Sequence, residues 1–206
     1  MFRTTIACAT AVLLASCSSM IATATGPEPL GRDQGTRTLS MRLEDGAIER
    51  TAEINMYKAD PRFREANVNF VSFYGSVLIA GQAPTEELRA KAESIVRQIA
   101  EVKQIHNELT VGEASYYLER STDGFISTRI RTALTLEEGY PASRTKIFTV
   151  GGTVYLMGRL TPAEADRAVG LIKQVSGVKK IIKLIDYLPE ASASPEASTP
   201  PTAPQG

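Results

Sequence analysis

The chain has 206 residues, zero formal net charge at neutral pH and 43% apolar residues. That length suits one ordinary domain or two small ones. Zero net charge excludes the strong basic excess of a typical nucleic-acid binder. The chain has two cysteines, one histidine and no CxxC or HExxH spacing, so no metal or other cofactor is expected.

The first element is an address. Arg3 supplies a positive start, and Ile6 to Leu14 form an apolar run too short for a comfortable permanent span. The string "LASC" (Leu14–Cys17) resembles a bacterial lipobox, an aliphatic residue and two small residues ahead of the cysteine that is lipidated before cleavage. An ordinary signal peptide with a cysteine near its cleavage site is the other reading. On the lipobox reading residues 1–16 are removed, Cys8 goes with them, and Cys17 carries acyl chains. Each buried methylene contributes about 0.8 kcal/mol, so several chains hold firmly. Ser18 follows the cysteine where an aspartate would signal retention. For lipoproteins of this kind that implies the outer membrane, with the body on its periplasmic face.

Residues 17–40 are small, polar and rich in Gly and Pro, and read as a flexible tether. Residues 41–112 and 123–188 then spell one module twice, joined by a linker at 113–122. "YGSVLIAGQAP" (Tyr74–Pro84) matches "GGTVYLMGRLT" (Gly151–Thr161), and "VKQI" (Val102–Ile105) matches "VKKI" (Val178–Ile181). Two copies are too few for a solenoid. Each copy opens with a helix whose apolar residues recur at i, i+4, i+8: Ile48, Ala52 and Met56, then Ile126, Ile130 and Leu134. A hairpin follows, turning at Gly75 or at Gly151-Gly152. Thr85 and Thr161 cap a second helix, and a last strand closes the unit. The expectation is an α+β fold of two tandem αββαβ modules, each a three-stranded mixed sheet with two helices on one face. Residues 189–206, mostly Pro, Ala, Ser and Thr, read as a disordered tail.

Strand–Gly–strand–Gly, then a helix, then "GVKKI" resembles the BON domain. Two such units behind a lipobox resemble the dual BON-domain outer-membrane lipoproteins of DolP type. The strings that carry this are "LEDGAIE" (Leu43–Glu49), "VLIAGQAPTEELRAKA" (Val77–Ala92), "GEAS" (Gly112–Ser115), "GFISTRIRTAL" (Gly124–Leu134), "VYLMGRLT" (Val154–Thr161) and "VSGVKKI" (Val175–Ile181). The stretch between modules, "YYLERSTD", is longer than in some relatives.

The helices that open the two modules share a buried stripe and differ outside. At 100° per residue, Phe125, Arg129, Thr132 and Leu136 fall on one outer face, with Arg131 beside it. The first module offers Glu49, Arg50 and Glu53 there, and no apolar wedge is expected. An aromatic among arginines suits a phospholipid headgroup layer, where guanidinium groups meet phosphates. The residues alone leave a second reading open, with Phe125 packed under Tyr116, Tyr117 or Leu118 and Leu136 capping its own core. The resemblance implies that this helix binds anionic phospholipids through Phe125, Thr128, Arg129, Arg131, Thr132 and Thr135, to which the helix face adds Leu136. It also implies support of outer-membrane integrity, enrichment at division sites and a link to the outer-membrane protein assembly machinery. Phe125 stands where a relative can carry Trp. The alternative is a chaperone-like or scaffolding module that binds envelope proteins.

No enzymatic chemistry is expected. His106 is a lone histidine on a strand, and "SRTK" (Ser143–Lys146) spells SxxK without companion motifs. Glu113, Glu119 and Asp123 are expected to be solvated linker acids.

Overall fold

The computed structural model describes residues 37–113 and 117–189. Cys17, most of the expected tether, Tyr116 and the expected tail from residue 190 onward lie outside them.

Helix α1 (Leu39–Ala59) starts where the Thr38 hydroxyl accepts from the Met41 amide. It buries Asp45, Ile48, Ala52 and Met56. It stops at Asp60, because Pro61 forces the preceding residue to extend, and the Asp60 carboxylate caps the short turn that follows. Strands β1 (Asn67–Phe73) and β2 (Ser76–Ala83) pair antiparallel through a two-residue loop. Both loop residues, Tyr74 and Gly75, have positive φ, as a right-twisted hairpin requires. Helix α2 (Glu86–Arg97), capped by Thr85, crosses over to β3 (Gln104–Val111), which pairs parallel with β2.

The second module repeats this. Helix α3 (Tyr117–Leu136) leads to β4 (Thr145–Val150) and β5 (Thr153–Leu160), then α4 (Pro162–Lys173) and β6 (Lys180–Tyr187). The hairpin turns at Gly151-Gly152, again with positive φ at both residues. Thr161 and Glu164 form a reciprocal capping box at α4. Sheet orders are β1-β2-β3 and β4-β5-β6. The expected mixed α+β architecture is the one observed. Helix α3 begins inside the stretch expected to be linker.

Each sheet packs its two helices on one face, around Ile48, Met56, Val77 and Ile79 in the first module and Ile126, Ile130, Val154 and Leu156 in the second. The other faces meet each other. Val71, Phe73, Leu78 and Ala80 of the first module share a buried cluster with Tyr155 and Met157 of the second. Strands β2 and β5 are therefore apolar on both sides, which is why "VLIA" and "VYLM" run without polar interruption. Burial raises the Tyr155 phenol to about 12, with Glu108 adding to the effect, so it stays neutral. At the rim, Lys146 reaches Glu49 at 2.7 Å and the Ser72 carbonyl at 3.1 Å. The Arg159 guanidinium lies 5.3 Å from the centre of the Tyr74 ring.

One device recurs in both modules. The Asp45 carboxylate accepts from the Gly75 and Tyr74 amides, the Ser72 hydroxyl and Arg37, all within 3.1 Å. Asp123 accepts from the Gly151 and Gly152 amides at 2.7 and 2.9 Å. An aspartate near the start of each opening helix thus fixes the hairpin turn. Asp123 is 7% exposed, so the expectation of a solvated linker acid is corrected. Its side chain lies inside the module because only there can it meet the turn amides.

Candidate functional site

Helix α3 holds Ile126, Ile130 and Leu134 against the sheet. That rotation fixes what faces outward. Phe125 is 73% exposed and Leu136 79%. Thr128, Arg129, Arg131, Thr132 and Thr135 are exposed as well. Neither Phe125 nor Leu136 is enclosed by protein, so the packed alternative for these two side chains does not hold. All seven sequence-selected residues of the helix stand on its solvent side.

The threonines change the chemistry of that side. Thr128, Thr132 and Thr135 donate their hydroxyls to the carbonyls of Gly124, Thr128 and Arg131, each four residues back, at 2.8–3.0 Å. This commits their donors to the helix and leaves methyl groups and acceptor lone pairs outward. Arg131 is oriented by one bond, Nη2 to the Ile147 carbonyl at 3.2 Å. Neither Arg129 nor Arg131 has an ion pair with any described residue. From Gly124 to Leu136 there are two arginines and no acid. An outer face of aromatic, aliphatic, methyl and guanidinium groups can enter an anionic interface at small desolvation cost.

The first module does carry apolar residues outward, and here the sequence expectation is corrected. Leu39, Leu43, Ile54 and Tyr57 of α1 are 73%, 63%, 53% and 45% exposed. They fall within about 60° of one another at 100° per residue. The sequence reading identified this helix by its buried stripe, Ile48, Ala52 and Met56, and looked outward only at Glu49, Arg50 and Glu53. The flanks still separate the two helices. Residues 39–59 hold Arg42, Arg50 and Lys58 against Glu44, Asp45, Glu49 and Glu53. Charge divides by module in the same way. Residues 123–189 carry ten Lys and Arg against six Asp and Glu, and residues 37–113 carry ten against twelve. The zero net charge of the chain hides this division.

Other candidates resolve into structure. His106 is half-buried, and desolvation lowers its pKa, with Glu108 opposing. Lys146 of the SxxK string is tied across the module boundary. Among the described residues no His, Cys, Asp and Glu side chains gather as a metal site requires. No described helix is long and apolar enough to cross a membrane.

Paired αββαβ units stacked sheet to sheet define a protein of two tandem small α+β domains. The chain belongs to the BON-domain family. The BON domain model matches residues 50–113 and 122–189, one copy per module. The first match opens within α1, so Leu39 and Leu43 precede it. The chain is 34% identical over 152 residues to the 21 kDa hemolysin of Actinobacillus pleuropneumoniae, covering 74% of this chain and 78% of that one. It is 30% identical over 165 residues to the outer membrane lipoprotein DolP of Haemophilus influenzae, covering 80% and 81%. No catalytic family is indicated. Among solved structures, CdsD, a structural protein of the type III secretion system of Chlamydia trachomatis, aligns with a TM-score of 0.29 at 11% identity. The alignment covers 72% of this chain and 92% of that one, and at that score it carries no inference.

Proposed function

We propose that this is a non-catalytic lipoprotein, anchored through acylated Cys17 on the periplasmic face of the outer membrane, that supports membrane integrity by binding anionic phospholipid through α3. The observation that carries this is the outward Phe125 and Leu136 beside exposed Arg129 and Arg131, neither ion-paired with any described residue. The likeness to a protein named as an outer membrane lipoprotein supports the location.

The energetics suit an anchored protein. Each arginine near an anionic surface adds about 1 kcal/mol, and a buried Phe ring contributes roughly 1.5–3 kcal/mol. The sum corresponds to weak binding, around millimolar. A tether of roughly 20 residues confines the modules to about 25 Å of the bilayer, an effective concentration of about millimolar. The anchor then holds the helix face at a surface where that contact alone would be transient.

The exposed stripe Leu39, Leu43, Ile54 and Tyr57 favours a second reading, a scaffolding contact between α1 and an outer-membrane assembly protein. Amide shifts separate the two. A soluble chain lacking residues 1–17 keeps every described residue. With phosphatidylglycerol micelles, perturbations clustered on residues 124–136 are expected. Perturbations confined to α1, or none, would overturn the lipid reading.

A further inference from the structure

The two modules are related by an approximate exchange of roles across their shared interface, and this produces a groove on each side. One lies beside α1 and is lined by Gly46, Glu49, Arg50, Glu53 and β1, with Phe148 reaching in from the second module, at about 250 Å³. Its counterpart lies beside α3. It is lined by Gly124, Thr128, Arg131 and β4, with Asn67 and Asn69 reaching in from the first module, at about 320 Å³. Aligning Asp45 with Asp123 places Glu49 with Ser127, Arg50 with Thr128 and Glu53 with Arg131. Aligning the hairpin glycines places Asn69 with Lys146. Beside α1, Lys146 and Glu49 close on each other as an ion pair. Beside α3, the same two positions are Asn69 and Ser127, short and neutral, and neither forms an ion pair.

The polar atoms of the groove beside α3 are sorted by what they can still do. Asn69 Nδ2 donates to the Ala80 carbonyl and to Asn67 Oδ1, both at 3.3 Å, which leaves its own Oδ1 as an acceptor. Asn67 donates to Gln82 at 2.9 Å. Ser127 donates to Thr149. Thr128 donates to the Gly124 carbonyl and keeps acceptor capacity. Arg131 holds the Ile147 carbonyl with one nitrogen and has four further N–H donors. Asp123, the one acid in the lining, gives both oxygens to the Gly151 and Gly152 amides. The groove therefore presents one cation with donors, next to neutral acceptors. The ligand that satisfies both is an anion attached to hydroxyl groups.

We propose that this inter-module groove is a headgroup socket. It takes the phosphodiester of a bilayer phospholipid on Arg131 and the hydroxyls of its polyol on Asn69 Oδ1 and Thr128 Oγ1, while Phe125 enters the bilayer alongside. The socket rests on the α3 lipid contact and adds to it a headgroup class and a contribution from the first module. An amine-bearing headgroup would bring an ammonium towards Arg131, and the groove discriminates against it.

The test uses the soluble chain from Ser18 and vesicles of phosphatidylcholine containing equal fractions of either phosphatidylglycerol or phosphatidylserine. Both carry one net negative charge per lipid, so surface potential is matched. Each hydroxyl hydrogen bond predicts about fivefold, so the two together predict about 25-fold tighter binding to phosphatidylglycerol. The ratio falls to about fivefold in Asn69→Ala and in Thr128→Val, the latter an exposed, shape-preserving change that keeps the fold, and to about one in the double variant. Glu53→Gln, in the groove beside α1, leaves the ratio where it was. Soluble dihexanoyl phosphatidylglycerol moves the Asn69 side-chain amide signal, and inorganic phosphate at equal concentration does not. A ratio unchanged in both socket variants, or equal shifts with inorganic phosphate, overturns the socket. The underlying lipid contact fails separately, if Phe125→Glu still binds both vesicles.

Discussion

Helices α1 and α3 occupy the same place in their modules and do the same structural work. Each buries its apolar residues at i, i+4, i+8, and each holds a hairpin turn with an aspartate from its first half. Their outer faces have diverged. That of α1 alternates signs around exposed Leu39, Leu43, Ile54 and Tyr57, whereas α3 offers Phe125 and Leu136 among arginines and back-bonded threonines. Duplication kept what folds the module and released what faces outward. Comparing the copies therefore separates residues that build the module from residues that face outward.

The sharpest way to break the comparison is through paired glycines. A Cβ on Gly81 would sit 1.8 Å from the Asn67 carbonyl oxygen, and its φ of +127° is itself unfavourable to a side chain. On Gly158 the nearest backbone atom, the Arg144 oxygen, would be 2.9 Å away. Gly81→Val is expected to cost more than about 4 kcal/mol and Gly158→Val about 2–3 kcal/mol, measured by denaturant unfolding. Equal losses would show that the modules tolerate the site alike.

Next come the aspartates. Asp45→Ala strands the buried Gly75 amide, the Ser72 hydroxyl and Arg37, for an expected loss of about 3 kcal/mol. Asp123→Ala frees two glycine amides and is expected to cost about 1–2 kcal/mol. An inverted order would mean that the second hairpin depends more on its clamp.

Acid should distinguish the modules too. Burial pushes the Asp45 carboxyl up, but bonds from the Gly75 amide, Ser72, Arg37 and Tyr74 outweigh it, and the net shift is downward. Arg62 and Lys91 hold Asp60 low, Arg62 lowers Glu87, and Asn107 and Arg97 lower Glu93. All four acids lie in the first module. Each binds protons less readily folded than unfolded, so its contribution is complete above about pH 5 and is lost as pH falls through 4 and below. Desolvated His106, also lowered, adds an earlier loss as pH falls through about 6.5. On acidification, hydrogen exchange should accelerate in β1–β3 before β4–β6. The reverse order would contradict these assignments.

The smallest effect on stability belongs to the residue on which the proposed lipid contact depends most. Phe125→Glu should change unfolding free energy by less than about 0.5 kcal/mol, because the ring is exposed. The same change should abolish phosphatidylglycerol-vesicle binding. Leu43→Glu on α1 should leave vesicle binding intact.

Much of this was legible in the sequence, for identifiable reasons. The hairpin glycines, the Thr85 and Thr161 caps and the i, i+4, i+8 stripes are local patterns, and local patterns survive in a single chain. So does the outward angle of Phe125, which follows from the burial of Ile126. The aspartate clamps were missed because their partners lie about 30 residues away. Their signal was present all the same, in Asp45-Gly46-Ala47-Ile48 and Asp123-Gly124-Phe125-Ile126, one pattern at one place in each repeat. The exposed apolar residues of α1 were missed because Leu39, Leu43, Ile54 and Tyr57 lie off the buried period. Sheet-to-sheet stacking was written in the uninterrupted apolar runs of β2 and β5. The groove beside α3 was not legible, since Asn67 and Asn69 come to it from the other module.

The chain has no tryptophan, so a single introduced indole reports on one site alone. Phe125→Trp in the soluble chain, titrated with phosphatidylglycerol vesicles, should give a blue-shifted emission that brominated acyl chains quench, and phosphatidylcholine vesicles should give neither. Leu43→Trp should respond to neither vesicle. An indole at 125 whose emission ignores anionic vesicles, or one at 43 that responds equally, would contradict the assignment of the membrane face to α3.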